Sequence, residues 1–369
     1  MSKTVVLDDL REIKRIDKSN MLSFCVEAAR HCGEAAKLTQ NLDLSYPKPN
    51  AIIVAGMGGS AISGELLKDW AREKIAVPIE VCREYALPAY ANRKTLVFVI
   101  SYSGETEESL SVYLDAIKKK CITVCISSGG TLQKFAEKMG VPFLTVPSGI
   151  APRAALPYLF IPLPILLEKL NMVSGVKSEI SETLDLLREI GAANAPEKPL
   201  KENFSKKLAS EICGTVPVIY GFGVYRAVAQ RLKQQFNENS KVPSKWESFP
   251  ELNHNEIVGW ESAGELAKLF SVIFLRDAFE SEAICERIAA TQELMRKESV
   301  KIFEMRGIGK SVLARMLSAI CVGDFVSVYL AILRGLDPTP VKTIALLKER
   351  VKRVGVREKV IRELQKLAK

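Results

Sequence analysis

Short apolar runs alternate along the first half of the chain with longer stretches whose apolar residues recur at helical spacing. The runs are AIIVAG, VPIEVCR, TLVFVIS, CITVCIS and VPFLTVP, with SGELLKDWAREK, ESLSVYLDAIKKK and TLQKFAEKM between them. Five strands separated by helices predict a parallel, doubly wound α/β sheet, because parallel neighbours need crossover connections. A helical segment over residues 1–40, which includes SFCVEAARHCGEAAKL, precedes this domain, expected over 41–190. GAANAPEKPLKEN (191–203), rich in Ala, Pro and charge, reads as a linker. The same grammar resumes over 204–348: TVPVIYGFG runs into a helical VYRAVAQRLKQQFNEN, and KLFSVIFLRD and VKIFEMRG follow. A second α/β unit is therefore expected, with a basic helix over 349–369.

Two of the strand ends carry the same device. AIIVAGMGGSAISGE and TLVFVISYSGETEES each pass from an apolar run through a turn of Gly, Ser and Thr into a helical pattern. Backbone N–H groups at a helix start lack intrahelical partners and carry about half a positive charge, so such turns hold anions. The strand ends of a doubly wound sheet are also where ligands sit. Gly58, Gly59 and Ser60 in the first turn, with Ser101, Ser103 and Thr106 in the second, predict a phosphorylated ligand held from both sides. The plainer role for any one hydroxyl is to cap its helix. Gly221 and Gly223 repeat the strand–glycine–helix order without the serines, as in a duplicated fold of which one copy keeps the phosphate grip.

Two nucleotide motifs fail on inspection. RGIGKS (306–311) lacks the first glycine of a P-loop, since residue 304 is Glu. GMGGSA is not GxGxxG, and no acidic residue follows at a strand end to hold a ribose.

Composition narrows the chemistry. The chain has 369 residues, 47% of them hydrophobic, enough for two domains. The start, MSKTVVLDDLREIKR, lacks the apolar stretch of a signal peptide, and the run ALPYLFIPLPILL (155–167) is short for a bilayer and broken by prolines. A cytoplasmic location and a buried helix at 155–167 are expected. The eight cysteines form no CxxC pair, and Cys121 and Cys125 read as small core residues on one strand face. With only two histidines, His31 and His254, these spacings do not assemble a zinc site, and no metal and no cofactor are expected. Of the net charge of +9, residues 341–369 carry +7, from six Lys and four Arg against three Glu. Val351, Val354, Ile361 and Leu364 give this tail an apolar face, and it holds no aromatic residue for base stacking. A packed terminal helix is expected, with no nucleic acid and no membrane as partner.

The polar stretch 236–260 reads as a long functional loop. It holds His254 among several carboxylates, an acid/base candidate because the unperturbed pKa of histidine is ~6.5. His31, inside a helical pattern, reads as structural.

Taken together, GMGGSAISG, SYSGETEES, PSGIAPRAALPYLF, NSKVPSKWESFPELNHNEIVGW and SVYLAILRGLDPTPVKTI resemble the bifunctional phosphoglucose/phosphomannose isomerases of the sugar isomerase (SIS) fold. The match is ordered and spans residues 50–348; SxSGxT alone marks every sugar-isomerase domain. The resemblance implies two SIS domains, each an α/β doubly wound parallel sheet; the C-terminal helical tail read from the residues has no counterpart in the family pattern. It also implies a homodimer that takes a small sugar phosphate. Gly58, Gly59, Ser60, Ser101, Ser103 and Thr106 would bind the phosphate, and Arg153 would lie near the C1 and C2 oxygens. Glu238 would be the catalytic base, His254 would help open the ring from the neighbouring subunit, and Lys342 would border the substrate. Glu247, Glu251 and Glu256 lie nearby, so the choice of Glu238 rests on the resemblance.

The implied activity is a metal-independent interconversion of glucose 6-phosphate and mannose 6-phosphate with fructose 6-phosphate through an enediolate. Two alternatives stand beside it. One is an isomerase related to glucosamine 6-phosphate synthase, whose N-terminal cysteine and glutaminase domain would need more residues than precede Ile52. The other is a non-catalytic sugar-phosphate sensor, which usually joins one such domain to a DNA-binding module.

Overall fold

The computed structural model describes residues 3–369, so the first two residues of the expected N-terminal helical segment lie outside it. The chain divides into two compact units, each made of two stretches: residues 31–177 with 341–369, and 1–30 with 178–340. This division differs from the expected boundaries at both ends of the chain. The N-terminal segment is split between the units, and the tail belongs with the first sheet.

The unit of residues 31–177 and 341–369 is built on five parallel strands: β1 (Ala51–Ala55), β2 (Ile79–Cys82), β3 (Thr95–Ile100), β4 (Ile122–Ser127) and β5 (Phe143–Thr145), in the order β2-β1-β3-β4-β5. Strands β1 and β3 are buried throughout, and the edge strands β2 and β5 are half-exposed, so the continuous apolar runs mark strands covered on both faces. The order reverses between β1 and β3. Right-handed crossovers then send helices to opposite faces and leave a crevice at the carboxyl ends of these two strands. The run 155–167 forms two short helices, Leu156–Phe160 and Pro162–Lys169, that bury nearly every apolar side chain. His31 is buried, with Nδ1 2.8 Å from Tyr158 Oη.

The tail is two helices rather than one. Gly355, at φ +73°, separates Lys342–Lys352 from Val356–Leu367. Only the second has buried residues, Val360 and Leu364, which join the core beneath the helix Glu107–Lys118; Val354, expected on the apolar face, is 64% exposed.

The other unit holds four parallel strands, β6 (Val216–Phe222), β7 (Lys245–Phe249), β8 (Phe270–Arg276) and β9 (Lys301–Arg306), in the order β7-β6-β8-β9. Strand β7 lies within the stretch read as irregular. Its core is the helix Val312–Leu333, whose length and composition would suffice to cross a membrane; 94% of its apolar window is buried inside the protein. The expected linker is packed structure. Residues 191–193 end the helix Val176–Ala193, and Asn194 accepts from Ser205 N (3.1 Å) and Oγ (2.8 Å). The fully buried Lys206 donates from Nζ to the carbonyls of Pro196 (2.8 Å) and Lys198 (2.7 Å).

Candidate active site

Both Gly/Ser turns fall at the reversal point of the five-stranded sheet. They converge closely: a Cβ on Gly56 would lie 2.8 Å from the Ile100 carbonyl. The helix Gly59–Ala71 starts behind Gly58, whose backbone is left-handed at φ +52° and ψ −120°. Its N-cap, a glycine, offers no side chain to cap it. Gly59 lets the backbone of Pro152 and Arg153 come close, since a Cβ there would meet the Pro152 carbonyl at 2.9 Å. That approach brings Arg153, itself buried, to the start of the first turn. Ser60 is also buried.

In the second turn Ser101 Oγ donates to Thr106 Oγ1 at 3.0 Å, and Ser103 Oγ accepts from Glu105 N at 3.2 Å. Thr106 is the N-cap of the helix Glu107–Lys118, yet its side chain makes no capping bond. The capping role open to these hydroxyls is thus not the one Thr106 takes. Two neighbouring helices present amides without a side-chain cap, and the hydroxyls of Ser101, Ser103 and Thr106 border them. Such a place suits an anion. Lys342, in the same unit, is the first residue of the helix Lys342–Lys352 and is exposed.

Glu238 and His254 belong to the other unit. Glu238 sits in a π-helical turn, Phe236–Ser240, that continues the helix Arg226–Gln235. Such wide turns interrupt the hydrogen-bond ladder and recur at functional sites. This one is fixed on both sides. Asn239 Nδ2 donates to Ser327 Oγ (2.9 Å) and Ser240 Oγ to the Ser327 carbonyl (2.6 Å). Lys241, left-handed at φ +52°, donates from Nζ to the carbonyls of Asp337 (2.9 Å) and Pro338 (2.7 Å). Before the turn, Arg231 and Gln235 both donate to the Asp324 carboxylate, at 2.8 and 2.9 Å. Asp324 and Ser327 are the supports that sequence reasoning missed. Their signal was two polar residues one turn apart inside the apolar run SAICVGDFVSVYLAIL.

The competing carboxylates are differently placed. Glu256 accepts from Tyr220 Oη at 3.0 Å and is paired with Lys245. Burial and the Glu256 charge raise the pKa of Tyr220, which keeps that hydroxyl protonated and a donor. Glu251 is exposed and accepts from Asn255 Nδ2 at 2.8 Å. Glu247 lies on β7. His254, exposed, ends the turn Glu251–His254. Among the described residues no three His, Cys, Asp or Glu side chains are grouped so as to hold a metal ion.

Known proteins bear on this arrangement. Residues 201–351 match the family model for the bacterial phospho-glucose isomerase C-terminal SIS domain. A bifunctional phosphoglucose/phosphomannose isomerase of Caldicellulosiruptor bescii is 44% identical over 81% of this chain and 89% of its own length. One of Aquifex aeolicus is 36% identical over 82% of this chain and 90% of its own. Among solved structures, a hypothetical protein of Thermus thermophilus aligns with a TM-score of 0.73 at 13% identity, covering 93% of this chain and 92% of that one, a likeness of fold. By the extent and identity of these sequence matches, the chain belongs to the family of bifunctional phosphoglucose/phosphomannose isomerases.

Proposed function

We propose that the chain is an aldose–ketose isomerase that interconverts glucose 6-phosphate and mannose 6-phosphate with fructose 6-phosphate. The observation that carries this reading is the pair of helix starts without side-chain caps at adjacent strand ends, set in a chain of this family. The phosphate is assigned to Gly58, Gly59, Ser60, Ser101, Ser103 and Thr106. Held there, it fixes the far end of the sugar, and its binding energy orients C1 and C2 against the base.

Glu238 is proposed to take the proton from C2 of the open-chain aldose and return it to C1, the electron pair passing through an enediolate. A positioned carboxylate of this kind contributes about 10²–10⁴-fold. The anchoring of its turn favours that assignment, because a base must be held still to meet both carbons. Arg153 would face the oxygens on which negative charge develops, where one fixed donor is worth ~3–4 kcal/mol. Lys342 would border the substrate. The two aldoses differ only at C2, the carbon that becomes trigonal in the intermediate, so one site can serve both. The enzyme is further proposed to be cytoplasmic and homodimeric, with His254 completing the partner's site and promoting ring opening.

This chemistry asks for no metal and no cofactor. The decisive experiment dialyses the protein against a strong chelator and then assays both aldose phosphates in parallel with coupled detection of fructose 6-phosphate. Both activities are expected to persist. Loss of both on chelation would overturn the metal-independent mechanism, and turnover of glucose 6-phosphate alone would remove the dual specificity.

A further inference from the structure

The tail does more than cover apolar surface. Arg357, in the first turn of the helix Val356–Leu367, donates from Nε to Glu105 Oε2 at 2.9 Å and from Nη2 to the same oxygen. Glu105 is the residue before Thr106 in the second anion-binding turn. Its other oxygen accepts from Thr131 N at 2.7 Å and Thr131 Oγ1 at 3.0 Å, and Arg357 Nη2 also donates to Thr131 Oγ1 at 3.1 Å. One guanidinium therefore ties together the turns that follow β3 and β4.

Those turns have almost no slack. A Cβ on Gly104 would fall 1.8 Å from the Gly129 carbonyl, and one on Gly130 would fall 2.5 Å from the Ser103 carbonyl. The Gly104 carbonyl also accepts from Leu132 N at 3.0 Å. Burial works to raise the pKa of the Glu105 carboxyl, but its bonds from Arg357 and Thr131 outweigh that and hold it below its ordinary value. Glu105 is thus an anion placed beside a site for anions. Left alone it would repel a phosphate; paired with Arg357, its charge is offset.

We propose that Arg357 is a positioning residue for sugar-phosphate binding: through Glu105 it sets the shape of the Ser103–Thr106 turn and offsets a carboxylate that would oppose the phosphate. The inference rests on the assignment of that turn to the phosphate, and it gives the C-terminal helix a part in substrate affinity.

The test uses the full-length protein with Arg357→Ala, Arg357→Lys, Glu105→Gln and the Arg357→Ala/Glu105→Gln double variant. Glucose 6-phosphate binding by titration, KM, kcat and melting temperature are measured for each. Arg357→Ala is expected to raise Kd and KM about five- to tenfold while kcat stays within about twofold, the signature of lost ground-state binding. Arg357→Lys should recover part of the affinity, and in the Glu105→Gln background the Ala substitution should add less than about twofold, as for residues that act through one another. Unchanged KM in Arg357→Ala overturns the proposal. So does a fall in kcat and melting temperature of the same size whichever residue stands at 105. Ser101→Ala/Thr106→Ala separates the two levels: if it binds glucose 6-phosphate like the wild type, the phosphate assignment itself fails. If it loses binding while Arg357→Ala does not, only the role of the tail fails.

Discussion

At the ends of β1 and β3 two helices begin with N-caps that make no side-chain capping bond, and so does the helix after β6, while the turns after β8 and β9 of the four-stranded sheet are filled by the protein's own carboxylates. After β8, Glu280 accepts from Asp277 N at 2.8 Å and from Arg276 Nε at 2.7 Å, and Asp277 accepts from Phe279 N at 2.7 Å and from Arg315. The next helix is capped by the Ser281 side chain. The P-loop-like GIGKS is stoppered in the same way: Glu182 accepts from Lys310 N (2.5 Å) and Ser311 N (3.0 Å), and Glu179 from Leu313 N (3.2 Å). An amide that already has a carboxylate cannot serve a phosphate. The two sheets, alike in the order of their first four strands, thus differ after β3 and β8, and the helix after β6 carries Glu238 on its braced turn.

The sharpest way to break this comparison is to disarm the second sheet alone. Glu238→Gln should lower kcat by about 10²–10⁴-fold with glucose 6-phosphate binding retained, and it should abolish exchange of the C2 proton with solvent. Mixed with inactive His254→Ala protein it should regain part of the activity, as hybrid dimers would carry one intact site. Wild-type proton exchange in the variant would move the base elsewhere, to Glu251 first, and full activity in a demonstrated monomer would end the shared-site reading.

A middle-sized effect is expected in the first sheet. Ser101→Ala with Thr106→Ala should raise KM for the sugar phosphate at least about tenfold, as the loss of even one hydrogen bond to a charged group costs ~1.5–3 kcal/mol, while kcat changes little. An unchanged KM would detach these hydroxyls from the phosphate.

The smallest effect concerns the stopper. Burial works to raise the pKa of the Glu182 carboxyl, but the amides of Lys310 and Ser311 and the Ser311 hydroxyl outweigh it and hold the carboxyl below its ordinary 4.5. A carboxyl depressed by folding stabilises the protein fully above 4.5, and that contribution is lost as pH falls through the lower folded value. Melting temperatures followed downward from pH 5 should therefore fall more steeply for the wild type than for Glu182→Gln, with KM unaffected by the substitution at neutral pH. Parallel curves would mean that the stopper adds nothing to stability.

Much of this was legible because the relevant patterns are local. Strands such as TLVFVIS, covered on both faces, read as unbroken apolar runs, and both Gly/Ser turns follow such runs directly. Strand β7 did not read as a strand because it is an edge, half-exposed, with Lys245, Glu247 and Ser248 among its five residues. The linker misled for the opposite reason. Asn194 and Asn203 are polar in sequence but buried: Asn194 is satisfied by Ser205, and Asn203 caps the helix Phe204–Ile212 through Lys206 N. The tail's apolar stripe was drawn across Gly355, where the helix breaks, and so included the exposed Val354 and passed over the buried Val360. At the site, residue types marked the two turns proposed for the phosphate. What holds them, Arg357 on Glu105 and Ser327 under Asn239, joins residues far apart in the chain and left no local trace.

The placing of Val360 and Leu364 in the core of the five-stranded unit also has a consequence for synthesis. The strands of that sheet have all been synthesised by residue 145, yet the helix that closes their core begins only at Val356. At about 5–20 residues per second, the apolar side of the helix Glu107–Lys118 waits on the order of ten seconds or more for its cover. During that interval the nascent chain carries a finished sheet with an open flank, and a ribosome that stalls or stops early would release it in that state.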